Sequence, residues 1–321
     1  MDKVKAIVKE AIHNIDPVLF ICATLLSIIS IITIAGAVDN FGASKLKMQI
    51  FIFILGIFLT FFIAYIDYRV IVDKLWMYML IGSVILLIIT PIFGTSGINM
   101  ETANKSWLVI PGTGLMIQPS EFVKITFICT FSRHLFLVKD RINHPLTLLL
   151  LAGHAILVVG PILWSGDLGV ALVYMAIIFV MLFCTGLHPL YFVGIALLVV
   201  LLFPILWEFL EPYQQQRILI GFNPELDPTG KGMQPLFSRA AIAAGGFVGQ
   251  GFSGGAYYEI LPASHTDFIF ATVCEKFGFL GGAAVIMIFI VMVVRIFMIA
   301  RTASRSDCGG NDQSSDCAFR F

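Results

Sequence analysis

Eight runs of apolar residues, most close to the ~20 residues that a bilayer core requires, set the terms on which this chain can fold. They lie near 17–38, 48–66, 75–93, 118–138, 146–164, 168–187, 189–207 and 277–300. With 59% hydrophobic and 12% charged residues among 321, there is too little polar material to cover a soluble globule of this size. The bilayer must therefore act as the solvent. Backbone groups in hydrocarbon have to be satisfied within their own segment, so the runs are expected to be helices and the fold an all-α, polytopic membrane protein. The first run lacks a small-residue cleavage site and is long enough to span, so it reads as a retained span and not as a cleavable signal.

Residues 1–16 set Val4, Ile7, Val8, Ala11, Ile12 and Ile15 at helical spacing among Lys3, Lys5, Lys9 and Glu10, the pattern of an amphipathic helix lying in the interface. A cytoplasmic N-terminus puts those lysines inside together with Arg69, Lys74, Arg133, Lys139, Arg141, Arg301 and Arg305, against Lys45, Lys47 and Lys105 in the short outer loops. The 94–117 loop, the turn at Asp167 and the 208–266 connection then lie outside. Formal net charge is zero, so nothing points to a nucleic-acid partner. Residues 301–321 are polar and expected to be disordered.

The 208–266 connection, about sixty residues rich in Gly, Pro, Gln and charge, is where function is expected in a chain whose other loops are short. Tyr213 to Arg217 form a polar, hydrogen-bonding stretch. In Asp227-Pro228-Thr229-Gly230-Lys231-Gly232 a carboxylate precedes proline, which biases Asp227 toward extended backbone in a turn whose glycines admit a ligand or another backbone. Asp-Pro is equally an ordinary turn starter. The glycines from Gly245 to Gly255 make a flexible or tightly packed surface, and no strand and helix surround them as a phosphate loop would need.

Within the 94–117 loop, Trp107–Ile110 reads as a short interfacial segment ahead of a tight turn at Pro111–Gly114. Gln118-Pro119-Ser120-Glu121 then opens a helix, with proline suited to its first position. Lys124 follows Glu121 at i+3, so the two can pair on one face; charge inside an apolar segment is either functional or a lock between helices. Asp167 begins the sixth run, facing the positive helix end or a ligand. His134, His144, His154 and His188 are scattered without metal-ligand spacing, and six cysteines contain no CxxC, so neither a metal centre nor a disulfide framework is expected.

Together these pieces resemble the SEDS proteins (shape, elongation, division and sporulation), the RodA/FtsW/SpoVE group. The likeness is carried by Lys105-Ser106-Trp107-Leu108 and Gln118-Pro119-Ser120-Glu121-Phe122-Val123-Lys124, by Gly166-Asp167-Leu168-Gly169, by Gln216-Arg217-Ile218 with Asp227-Pro228 and Gly232-Met233-Gln234, by Ser238, by Gly245-Gly246 with Gly249 and Gly251, and by Leu261-Pro262 with His265-Thr266-Asp267-Phe268-Ile269-Phe270, Glu275 and Gly278. It extends from about residue 15 to 300, and the last block is the most specific. The resemblance implies a glycosyltransferase of the bacterial cytoplasmic membrane that polymerises lipid II into peptidoglycan strands at the outer face, paired with a transpeptidase of the class B penicillin-binding type. It implies Asp227 as catalytic base and Glu121, Lys124, Arg217, Lys231, Gln234, Ser238, Arg239, His265 and Asp267 as substrate-binding residues. A divalent cation is compatible with this chemistry but not demanded by it.

The chain departs from the family at Ser165 and Gly166, at Met233 where an aromatic residue is common, at Ala263 where Glu is common, and at Lys276 where a second acidic residue follows Glu275. Members usually have ten spans and this chain shows eight, so it resembles a shortened member. A competing expectation is accordingly a membrane scaffold or lipid II-binding protein that keeps the fold without turnover. A transporter fits less well, because no inverted pair of broken helices is evident.

Overall fold

Proline occupies the first turn of five of the long helices, where its missing N–H costs nothing and its fixed φ suits the helix. The computed structural model describes residues 15–66, 68–96, 104–110 and 116–306. In chain order these form α1 (Pro17–Ala35), α2 (Val38–Phe41), α3 (Ala43–Tyr65), α4 (Tyr68–Phe93), the short strands β1 (Leu108–Val109) and β2 (Met116–Ile117), and α5 (Pro119–Val138). There follow α6 (Pro145–Trp164), α7 (Leu168–Cys184), α8 (Pro189–Glu208), α9 (Pro212–Phe222), α10 (Met233–Ala244), α11 (Tyr257–Ile260) and α12 (Ile269–Ser306). All eight expected spans are helical.

Among the described residues five helices are long and apolar enough to cross a membrane: α1, α3, Val70–Phe93 of α4, α6 and Ile269–Ile299 of α12. Leu168–Cys184 and Pro189–Ile205 are shorter apolar helices. Helix α5 has the length but carries Glu121, Lys124 and Arg133. The segment from Leu108, expected as a lone interfacial stretch, instead pairs antiparallel with β2, Leu108 opposite Ile117 and Val109 opposite Met116. The turn between those strands and nearly all of the expected amphipathic segment 1–16 fall outside the described residues, as do 307–321. Helix α12 runs on through 301–306, which sequence reasoning assigns to the tail; no Gly or Pro interrupts those residues.

The described residues divide into two units, 68–209 and 15–66 with 210–306. In the first, α5 packs against α4, α6 and α7. Its buried Val123, Phe127, Phe131 and Leu135 recur every four residues, one stripe on one helix face. They meet Leu151, Val158 and Ile162 of α6 and Ala171, Tyr174 and Ile178 of α7 in a single core. Several polar groups inside this core are paired, as low dielectric favours. The Tyr174 hydroxyl donates to the Ser120 carbonyl at 2.7 Å, and the Ser83 and Thr126 hydroxyls lie 2.8 Å apart. Two of the scattered histidines come together here: His134 and His154 share a 3.1 Å Nδ1–Nδ1 hydrogen bond across α5 and α6.

In the second unit α12 packs on α1 and on α10. Asp16 caps α1, accepting from the Val18 and Leu19 amides at 3.1 and 3.0 Å, and the same carboxylate receives Arg295 of α12 at 2.8 Å. That guanidinium holds the Asp16 carboxyl below the usual carboxylate range. Helix α12 is broken at Gly278, where φ is 64° and ψ −160°. An unbroken helix would bond the Phe279 and Leu280 amides to the carbonyls of Glu275 and Lys276. Here those amides donate to Gly246 and Phe247 at 2.9 and 3.3 Å, while the freed carbonyls accept from Gln250 and Gly251 at 2.9 and 3.0 Å. The glycine-rich turn is thus spliced into the hydrogen-bond ladder of the helix. Glycine is obligatory at both sides of the splice: a Cβ at Gly249 would run into the Lys276 carbonyl, and one at Gly278 into the Gly249 amide. Sequence reasoning places a span at 277–300; the structure starts its helix eight residues earlier, at Ile269, and turns the beginning of it toward the connection.

Candidate functional site

A 3-10 turn, Pro224–Leu226, delivers the chain to Asp227, whose backbone is extended at φ −145° and ψ 70°, as the following proline requires. Its Oδ1 accepts the Gly230 amide at 3.0 Å and its Oδ2 the Lys231 amide at 2.9 Å. The carboxylate lies so close to Gly230 that a Cβ there would overlap it. Asp227 thus organises its own turn and presents a fixed, half-exposed carboxylate whose oxygens each keep a lone pair for a further donor. Lys231 Nζ donates to Gln216 Oε1 of α9 at 3.0 Å, which pins the ammonium without neutralising it. Arg217, beside Gln216 on α9, and Arg239 on α10 are exposed and form no ion pair among the described residues. Gln234 and Ser238 are half-buried one turn apart on α10, which packs on the 3-10 turn that carries Asp227.

The segment after α11 supplies His265 and Asp267. Phe41 of α2 covers the His265 ring at a centroid distance of 5.2 Å. Burial, and then the charge of Lys45, push its pKa below the ordinary value of 6.5, while Asp267 pulls the other way. Asp267 is exposed.

Two neighbours that sequence reasoning gave no separate role hold this segment in place. Glu275 and Lys276 are both completely buried. The Glu275 carboxylate accepts the amides of Ala256, Tyr257 and Tyr258 at 2.8, 2.8 and 2.9 Å. The Lys276 ammonium donates to the carbonyls of Gly36, Phe252 and Gly254 at 2.9, 3.0 and 3.3 Å and sits 4.0 Å from the centre of the Tyr258 ring. A lysine after a glutamate inside a glycine-rich context was the available signal, but nothing in one dimension shows which carbonyls it serves.

The other unit holds a second polar group. Asp167 caps α7 by accepting the Val170 amide at 3.1 Å, and its other oxygen receives Gln118 Nε2 at 2.8 Å, tying the starts of α5 and α7 together. Glu121 and Lys124 pair within α5, the ammonium 2.9 Å from both carboxylate oxygens, with 51% of the glutamate and 23% of the lysine side chain exposed. The pair is thus internal to one helix and does not lock two. Among the described residues no group of three or more His, Cys, Asp or Glu gathers.

Fold and site together define a helical multi-pass membrane protein with a carboxylate and unneutralised cations on one connecting segment. A family model described as a cell cycle protein, for FtsW, RodA and SpoVE, matches residues 14–308. A probable peptidoglycan glycosyltransferase FtsW from Trichlorobacter lovleyi is 34% identical over 279 residues, covering 83% of this chain and 70% of the relative. The peptidoglycan glycosyltransferase MrdB of Escherichia coli is 34% identical over 237 residues, covering 70% and 60%. A solved structure concerned with the structural coordination of polymerization and crosslinking by a peptidoglycan synthase complex superposes with a TM-score of 0.70 at 25% identity, over 88% of this chain and 78% of that one. The rod shape determining protein RodA of Thermus thermophilus has the same fold, at a TM-score of 0.58 and 20% identity, over 89% and 75%. The chain belongs to the SEDS family, the FtsW/RodA/SpoVE group of multi-pass bacterial membrane proteins.

Proposed function

We propose that this chain is a peptidoglycan glycosyltransferase that joins lipid II units into glycan strands on the outer side of the cytoplasmic membrane. The observation that carries this reading is the Asp227 turn: a carboxylate fixed by two backbone amides, with Lys231 and Arg217 close in sequence or hydrogen-bonded to its surroundings, in a chain of this family. In the proposed step Asp227 takes the proton from the 4-hydroxyl of the acceptor sugar. That oxygen bonds to the donor's anomeric carbon as the bond from this carbon to the diphosphate breaks, releasing the polyprenyl diphosphate. Lys231, Arg217 and Arg239 supply the charge that a departing diphosphate needs. A divalent cation would find a single protein carboxylate at Asp227 and would be completed by the substrate's own diphosphate, the usual habit of Mg²⁺. His265, Asp267, Gln234 and Ser238 are proposed to hold parts of the substrates, and Glu121 and Lys124, in the other unit, keep separately the substrate-binding role that the family resemblance implies.

The basic residues near the span ends support a cytoplasmic N-terminus and an outer 208–266 connection. We assign the partner as a crosslinking transpeptidase of the class B penicillin-binding type, in line with the solved synthase complex that this chain resembles. The test is incubation of the purified chain, with and without such a partner, with labelled lipid II. Glycan ladders from the native chain that vanish in Asp227→Ala support the proposal. Retained lipid II binding with no polymer from native protein would favour the scaffold reading.

A further inference from the structure

The 208–266 connection is not uniform in what it turns outward. Around Asp227 the exposed groups are mixed: Thr229, Gly230 and Lys231 beside Leu226 at 63%. At the glycine-rich turn large apolar side chains are exposed around the glycines. Phe247 and Val248 are 65% and 72% exposed, and Phe247 stacks at 5.8 Å on Phe279, itself 62% exposed, beside Leu280 at 53%. Phe279 and Leu280 begin the apolar outer face of α12, within its membrane-length stretch Ile269–Ile299. The side chains of the turn thus continue a lipid-facing surface and do not interrupt it.

The backbone of the same turn is satisfied within the protein. Its carbonyls at Gly246 and Phe247 and its amides at Gln250 and Gly251 are matched one for one with the groups that the break at Gly278 releases. The exposed Gln250 side chain spends its amide on the Ala244 carbonyl at 3.1 Å, and Lys276 collects the carbonyls of Phe252 and Gly254. A loop built for water leaves much of its backbone to water. Non-helical backbone at membrane depth must be paired inside the protein.

We infer that residues 245–252 form a re-entrant element seated in the bilayer, its Phe247 and Val248 in contact with the acyl chains of bulk phospholipid. The Asp227 turn stands in water at one end of the connection and the re-entrant turn in hydrocarbon at the other. The connection therefore straddles the interface, where a substrate with a sugar head and a lipid tail must be held. The inference rests on the membrane location of the family and does not require glycosyl transfer, so loss of one leaves the other standing.

The full chain, without lipid II or partner, is reconstituted in phosphatidylcholine–phosphatidylglycerol vesicles containing a phosphatidylcholine with a photoactivatable group in its acyl chain. Crosslinks are then mapped by mass spectrometry. Labelling of 245–252 comparable to that of 279–290, with none on 229–231, is the expected result. Labelling confined to α12 overturns the inference. A second measurement modifies Val248→Cys and Thr229→Cys with a charged, membrane-impermeant maleimide. Both positions lie on one connection, so vesicle orientation affects them equally. Val248→Cys should react at least ten-fold more slowly. Equal rates, or protection that develops only when a partner protein is added, would contradict a lipid-facing turn.

Discussion

At the scale of single residues, much of the proposed chemistry rests on groups fixed by backbone. The Asp227 turn was legible in the sequence because a carboxylate before proline with glycines behind it has few conformations to choose from. The Gln216 contact to Lys231 was not, since it joins residues fifteen apart through a helix and a turn. Lys276 was legible only as a departure from the family pattern; its burial against three carbonyls is a fact of packing. Replacing it by methionine keeps the volume and strands those carbonyls. Lys276→Met is expected to cost at least ~3 kcal/mol, read as a lowered melting temperature of the purified protein. A shift near zero would show that the carbonyls find water. His265 makes a pH-dependent contribution whose sign follows from its depressed pKa. The unfolded chain takes up a proton first, near 6.5, so the native state keeps its full stability above that pH and loses it as pH falls below. His265→Gln should flatten the stability profile between about pH 7 and pH 5; an unchanged slope would assign the titration elsewhere.

At the scale of elements, hydrocarbon thickness imposes a length on apolar runs that needs no tertiary information, which is why eight helices stand where eight runs were read. The charges of α5 belong to this scale too: Glu121 and Lys124 neutralise each other one turn apart, so the helix carries them without a partner helix. The break in α12 escaped prediction. A glycine inside an apolar run is compatible with an unbroken helix, and only the arrival of Gly246 and Phe247 at its amides distinguishes the two. The β1–β2 pairing was missed for a similar reason, because two-residue strands leave almost no periodicity to detect. The splice predicts a steep contrast between glycines. Gly249→Ala drives a Cβ against the Lys276 carbonyl at a positive-φ position and should cost about 2 kcal/mol or more, whereas Gly56→Ala in α3, with open space around it, should be neutral or slightly stabilising. Thermal unfolding of the two variants side by side decides it; equal melting temperatures would mean that the turn and the helix break are not interlocked.

At the scale of the whole molecule, the bilayer supplies the solvent, the helices a frame, and the 208–266 connection the proposed chemistry. The family could be read from sequence because its motifs sit at unlike places, a helix start, a turn and the HTDFIF block, in a fixed order. How the Asp227 turn meets α9 and α10 was not readable, since each was identified by local pattern alone. The most direct measurement is the rate of glycan polymerisation from lipid II by Asp227→Asn, compared with native protein at matched folding and matched partner. Asparagine keeps one oxygen to accept one of the two turn amides, gives up the other bond and removes the base. A loss of at least ~100-fold in protein that remains folded, beyond what any fall in melting temperature accounts for, is expected of a proton acceptor in the sugar-joining step; a variant that polymerises at the native rate would place the base on another residue.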